Sequence, residues 1–186
     1  IFLDYLDSLV QAGKLDQFWK ESKRLPSQDP PATRLLENQF LAHLREKSLN
    51  KALLVLNRLD RRGKSAGFTE LNSLMARFDL AHAFLGKGAK NKAHKLLFHV
   101  LKKSKTVKLP LALTANATWR IKGPAQALPL YKKLIDSQGL SPSLISDYLS
   151  VLVQATNSAN LITVLKKARQ SLPTLDQNPK DRKSVV

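Results

Sequence analysis

The chain has no cysteine in its 186 residues. Disulfides, thiolate metal sites and a cysteine nucleophile are therefore excluded. Aromatic residues are few, at 6%, and leucine fills their place with 35 copies. Leucine is a good helix former, whereas aromatic and β-branched residues suit strands, so the expectation is helix throughout. No run of about 18 apolar residues is present, which excludes a membrane-spanning helix. No glycine-rich phosphate loop is found, because Gly86-Lys87-Gly88 lacks the helix-opening context such a loop needs. The four histidines, His43, His82, His94 and His99, include no i,i+4 pair, so a zinc site is not expected. Asp4 and Asp7 share a helix face and read as solvated surface. No Ser/His/Asp set has local support. The chain is accordingly expected not to be an enzyme, with no catalytic, metal or cofactor-binding residue, no cofactor and no small-molecule substrate. It opens inside a helical pattern at Ile1-Phe2-Leu3-Asp4 and without an initiator methionine, which is the expectation for part of something longer.

Acidic residues are missing from one long stretch. The net charge is +17, and it is unevenly spread. Residues 1–60 carry nine basic and eight acidic side chains, residues 61–135 carry sixteen and two, and residues 136–186 carry six and four. Positions 80–135 hold twelve lysines and arginines and no acid. Like charges at helical spacing repel by a few tenths of a kcal/mol per pair. A one-signed stretch of this length points to an anionic partner or to a surface that tolerates its own repulsion.

What is present is a repeat. Asp79 to Gly88 reads as an apolar helix ending at glycine, and Ala93 to Leu101 as a second helix that opens on a small residue five positions later. The glycine permits a left-handed turn and the alanine a close approach of helix axes. The arrangement recurs with Gly13 and Phe18, Lys47 and Ala52, Gly123 and Ala127, and Asn157 and Ile162. The anchors 18, 52, 93, 127 and 162 are 34, 41, 34 and 35 residues apart, and such a period is the mark of a helical-repeat array. The predicted fold is all-α, an α-solenoid of about five antiparallel helix pairs. Ten helices are expected near 2–12, 15–25, 33–46, 49–61, 70–86, 89–104, 110–121, 125–136, 143–155 and 159–171. The repeats lie near 1–32, 33–68, 69–109, 110–142 and 143–172, in one helical-repeat domain over 1–172. Turn residues cluster at 26–31, 64–69, 103–110 and 137–143. A disordered basic tail is expected over 173–186. Pro129 falls inside an expected helix, where proline costs about 3 kcal/mol, so that helix is expected to start late or to kink.

Leu113 to Gly123, then Ala127-Leu128-Pro129-Leu130-Tyr131, then Gly139-Leu140-Ser141-Pro142-Ser143, resembles the pentatricopeptide-repeat family. Leu80, Ala81, Phe84, Gly88 and Ala93 also match the spacing of the tetratricopeptide family, its near relative. The first resemblance implies a mitochondrial matrix RNA-binding protein, acting in RNA stability, processing or translation, whose repeats line a groove and read one base each. Carried over, the reading positions are Thr114 with Ser143, Asn38, Asp79 with Leu109, and Asp4 with Arg34. The pairs containing a carboxylate or leucine are poor readers, so the base code is broken in most copies.

The paired lysines Lys102-Lys103, Lys132-Lys133 and Lys166-Lys167 fall mainly off the apolar stripe formed by Leu96, Leu97, Val100 and Leu101, or by Tyr131, Leu134 and Ile135. With Lys105 and Lys108 they are expected along the outer edge of the stack. Arg120 and Lys122 end a first helix, where they also complement its dipole. These eight cations on repeats three and four (Lys102, Lys103, Lys105, Lys108, Arg120, Lys122, Lys132 and Lys133) suit phosphate contact more than base reading. Phe84, Trp119 and Tyr131 lie at core spacing and read as packing. Two functions follow: an RNA-binding module, mRNA or rRNA, or a protein-interaction scaffold with a basic face for an acidic partner or a ribosome. A groove lined by hydrophobic side chains favours the scaffold.

Overall fold

The computed structural model describes residues 2–25, 33–62, 68–139 and 141–155, the side chains of Pro142 and Ser143 apart. Among these residues there are nine helices and no strand: α1 (Phe2–Gln11), α2 (Leu15–Ser22), α3 (Thr33–Arg45), α4 (Leu49–Arg62), α5 (Glu70–Gly86), α6 (Lys90–Lys103), α7 (Leu111–Lys122), α8 (Pro124–Gln138) and α9 (Pro142–Ala155). Each coincides within a few residues with an expected helix. The tenth helix, the 173–186 tail, Lys166-Lys167 and most of the first two inter-repeat turns lie outside the described residues. The residues fall into two compact units, 1–117 and 118–186, divided within α7.

The helices form because apolar side chains recur at helical spacing. On α4 the buried set is Leu49, Ala52, Val55, Leu56 and Leu59, and on α6 it is Ala93, Leu96, Leu97 and Val100. Spacings of three and four place each set on one stripe. Burying one such leucine contributes about 1.5–3 kcal/mol. In the first unit, α1 packs on α2 and α3, α3 on α4, α4 on α5, and α5 on α6. The anchors Phe18, Ala52 and Ala93 are fully buried there, as Ala127 is in the second unit. Phe18, in the place of a small residue, joins the α1–α3 core with Leu6, Leu9, Val10, Leu35 and Ala42. Arg45 at the end of α3 donates to the carbonyl of Gln11 at 3.0 Å and to that of Val10. These are acceptors that the end of α1 cannot satisfy within its own helix.

Three intra-pair turns share one hydrogen-bond pattern. Gly13 donates to Val10 and Lys14 to Leu9, Lys47 to Leu44 and Ser48 to His43, Gly88 to Leu85 and Ala89 to Phe84. Nested bonds of these two spans define a helix end closed by one left-handed residue. Gly13, Lys47 and Gly88 have φ of 72°, 57° and 71°. The fourth turn differs. Gly123 has φ 97° and directly precedes α8, whose first residue is Pro124. Proline has no N–H to give the longer of the two bonds, and glycine and anchor are four residues apart instead of five.

In the second unit α8 packs on α9, and Tyr131 and Leu134 are buried on α8. Helix α8 starts one residue earlier than expected and continues through Pro129. Pro124 suits the first helical position because its missing donor would be unpaired there anyway. The amide missing at Pro129 leaves the Ala125 carbonyl without its helical donor, and the helix runs on through it.

Candidate functional site

The first helices of three successive repeats, α1, α3 and α5, line a groove of about 490 Å³. Asp7 comes from α1, Arg34, Glu37, Asn38 and Leu41 from α3, and Met75 and Asp79 from α5. Asp4, Asn38 and Asp79 each lie fourteen residues before their anchors at 18, 52 and 93. This column was expected to face a ligand, and in repeats two and three it does line the groove.

The groove is acidic with an apolar floor. Arg34 donates to Asp4 at 2.7 Å and to Asp7 at 3.1 Å. Burial pushes the Glu37 carboxyl above its usual value, and Asp7 adds to the effect while Arg34 opposes it. Burial likewise raises the Asp79 carboxyl, against the pull of His82. Desolvation of this kind penalises the charged form. Asn38 is only 2% exposed, and its Nδ2 has no acceptor. Phe40 and Leu41 are largely covered, whereas Met75 is 42% exposed.

The second helices α4 and α6 are cationic. Lys51, Leu54 and Arg58 share one exposed face of α4, and Lys95, Phe98 and Lys102 share one exposed face of α6. Both triplets follow i, i+3, i+7 spacing, which places their members in a line. Leu54 is 62% exposed and Phe98 60%. A large apolar side chain thus stands between two cations on each helix.

A second cleft, of about 370 Å³, lies between α4, α5 and α6. Its ions are internally paired. Arg77 and Ser73 both donate to Asp60, and Lys103 pairs with Glu70 at 2.9 Å. Among the described residues no group of three or more His, Asp or Glu side chains is gathered as a metal site requires. No described helix is long and apolar enough to cross a membrane.

The residues singled out from the sequence are scattered. Lys102, Lys105 and Lys108 are exposed and form no ion pair with a described carboxylate, whereas Lys103 is tied to Glu70. Thr114 turns its hydroxyl back to the Pro110 carbonyl at 3.4 Å. Asn38 is buried. The side chain of Ser143 lies outside the described residues. In the second unit Arg120, Lys122, Lys132 and Lys133 are exposed. Arg120 covers the ring of Trp119 at 4.1 Å, and Trp119 meets Tyr131 edge-on with centroids 6.4 Å apart. Phe84 and Tyr131 are buried. The sequence reading missed the groove carboxylate Glu37 and the apolar residues Leu54 and Phe98 between the cations. Glu37 lies one place before the column of Asp4, Asn38 and Asp79, where the other repeats have Leu3 and Phe78, so the repeat alignment gives no signal for it. No signal marks Leu54 and Phe98 either, since exposure is a tertiary property.

No family model matches the sequence, and comparison with curated proteins finds no match. Two solved structures are similar, both of a kinesin light chain-like protein from Podosopora anserina with nearly identical TPR-like repeats. One has TM-score 0.60 and 16% identity and covers 95% of this chain and 96% of that one. The other, its Q17M form, has TM-score 0.56 and 16% identity, with coverage of 91% and 92%. Identity this low speaks only to architecture. With nine described helices and this likeness, the chain has an all-α helical-repeat fold of the solenoid class, similar to TPR-like repeat proteins.

Proposed function

We propose that the chain is a protein-interaction scaffold whose cationic second-helix surface docks an acidic partner protein. The observation that carries this reading is the pair of exposed triplets, Lys51-Leu54-Arg58 and Lys95-Phe98-Lys102. Cations steer an acidic partner and an exposed apolar side chain supplies the desolvated contact that holds it. The TPR-like fold supports a protein-interaction scaffold. Thr114 is bonded to its own helix, and Asp4 is paired with Arg34. These first-helix groups therefore offer little to a base.

A second reading is the pentatricopeptide-type one, RNA bound through phosphates in an organellar setting. It is favoured by the twelve cations without an acid over residues 80–135. Leu54 separates the two, because it has no π face on which a base could stack. The test measures binding of an acidic amphipathic peptide and of single-stranded poly-U to the full chain, at two salt concentrations. The scaffold reading expects the peptide to bind more tightly. It also expects Leu54→Ser and Phe98→Ser to weaken the peptide about tenfold, as loss of anchor contacts does. Tighter RNA binding that falls steeply with salt, weakens with Lys102→Ser and Lys105→Ser and ignores Leu54→Ser, would replace it with the second reading.

A further inference from the structure

We propose that the groove across α1, α3 and α5 binds a lysine- or arginine-rich linear segment of a partner protein. This site is separate from the cationic second-helix face and does not depend on that face having a ligand.

Charge placement is the first argument. The chain carries +17 overall, so an acidic groove is not what its composition would produce by chance. Residues 61–135 contain two acids, Glu70 and Asp79. Glu70 is paired with Lys103, and Asp79 lines the groove. From the neighbouring repeat Glu37 lines it too, with Asp7 beyond. The cation among these lining residues, Arg34, is held by Asp4 and Asp7. Neither Glu37 nor Asp79 forms an ion pair among the described residues, although thirty-one basic side chains are available to the chain.

Burial is the second argument. Glu37 is partly buried, and its carboxyl is pushed above its usual value against the pull of Arg34. The Arg34 that faces Glu37 is already engaged by Asp4 and Asp7, so an incoming ammonium or guanidinium relieves the desolvation cost of Glu37, with the exposed Asp79 carboxylate on the same groove. Asn38, whose amide Nδ2 is buried without an acceptor, lines the same groove. A buried donor without an acceptor calls for a partner, and the carbonyls of an extended segment are acceptors of the right kind.

The third argument is the floor. Phe40, Leu41 and Met75 lie among the carboxylates. Lysine and arginine bury methylene stems along apolar surface while the charged head stays at its counter-ion. A bare cation would use the carboxylates and leave this floor unused. The volume falls within the range of ligand clefts, about 300–1,000 Å³.

The test is fluorescence anisotropy on the full chain with a labelled peptide of about twelve residues, enough to cross two first helices when extended. One probe alternates Lys or Arg with Ala and Leu, and its counterpart carries Glu at every basic position. The basic probe is expected to bind and the acidic one not to bind at the groove. The double variant Glu37→Gln, Asp79→Asn should weaken the basic probe by at least about tenfold, as truncating partly buried charge pairs does. Lys95→Ser with Lys102→Ser, outside the groove lining, should leave it unchanged. Charge reversal, Glu37→Lys with Asp79→Lys, should transfer preference to the acidic probe, and circular dichroism checks that each variant is folded. The proposal is overturned if the folded chain binds no basic probe, if wild type and the neutralised variant bind alike, or if the Lys95 and Lys102 substitutions carry the effect. Failure of acidic-partner binding at Lys95 and Lys102 leaves this groove assay unaffected.

Discussion

Lys47 shows what a single position contributes to the repeat. It occupies the left-handed place that glycine fills in the first and third turns, with φ 57° and the same two nested hydrogen bonds. A side chain in that conformation costs about 1–2 kcal/mol, because Cβ crowds the following carbonyl. The Lys47 side chain is exposed, so little is lost with it. Lys47→Gly should therefore raise the thermal midpoint by about 2–4 °C, the shift that roughly 1 kcal/mol gives a domain of this size. An unchanged or lower midpoint in a calorimetric scan would show that the lysine stabilises the turn in some other way. Asn38 makes the opposite point. From the sequence it was a small polar residue in a ligand-facing column. The tertiary packing leaves its amide at the groove but covers it almost fully.

At the scale of elements, the cleft between α4, α5 and α6 links neighbouring repeats through charge. His99 of α6 faces Arg77 of α5, Lys102 and Lys103 of its own helix and Asp60 of α4. Burial holds its imidazole below the usual 6.5, with Arg77 and Lys103 adding to the shift and Asp60 opposing it. The folded state therefore prefers neutral His99, while the unfolded chain takes up its proton near the ordinary value. Between the two values the unfolded state binds more protons, so stability falls as pH drops. Urea midpoints measured between pH 7.5 and 5 should decline for the wild type and decline less for His99→Asn. Equal slopes for the two chains would rule out this histidine as the source.

Element boundaries were legible because they are local. Leucine spacing sets each helix, and glycine and proline close it. Helix α8 was the partial exception. Pro129 suggested a delayed start or a kink, but Pro124 at the first helical position opens the helix early, and Pro129 then costs one bond inside the helix, to the Ala125 carbonyl. Both prolines were visible in the sequence. What decided between them was where the missing donor falls on the hydrogen-bond ladder, which needs the helix start to be known.

For the whole molecule the governing quantity is charge. Residues 61–135 carry sixteen cations and two acids, and one of those acids is tied to Lys103. Exposed like charges within about 10 Å repel appreciably at 0.1 M salt and more strongly below it. The thermal midpoint should rise by a few degrees as sodium chloride increases from about 10 to 200 mM, since screening relieves self-repulsion. A fall over that range would mean that ion pairs such as Arg34 with Asp4 and Asp7 outweigh the repulsion.

The order of residues along the chain was enough to establish the helical class, the repeat period near 34 and the uneven charge. Each of these is a matter of spacing, and helical spacing converts directly into which side chains can share a stripe. It could not establish what the stripes face. The first-helix column of Asp4, Asn38 and Asp79 resembled a set of base readers. Packing of α1, α3 and α5 makes part of that column the wall of an acidic groove, while the lysines and two bare apolar side chains emerge on the second helices. That sorting depends on how neighbouring helices cross, and so on contacts between residues tens of positions apart.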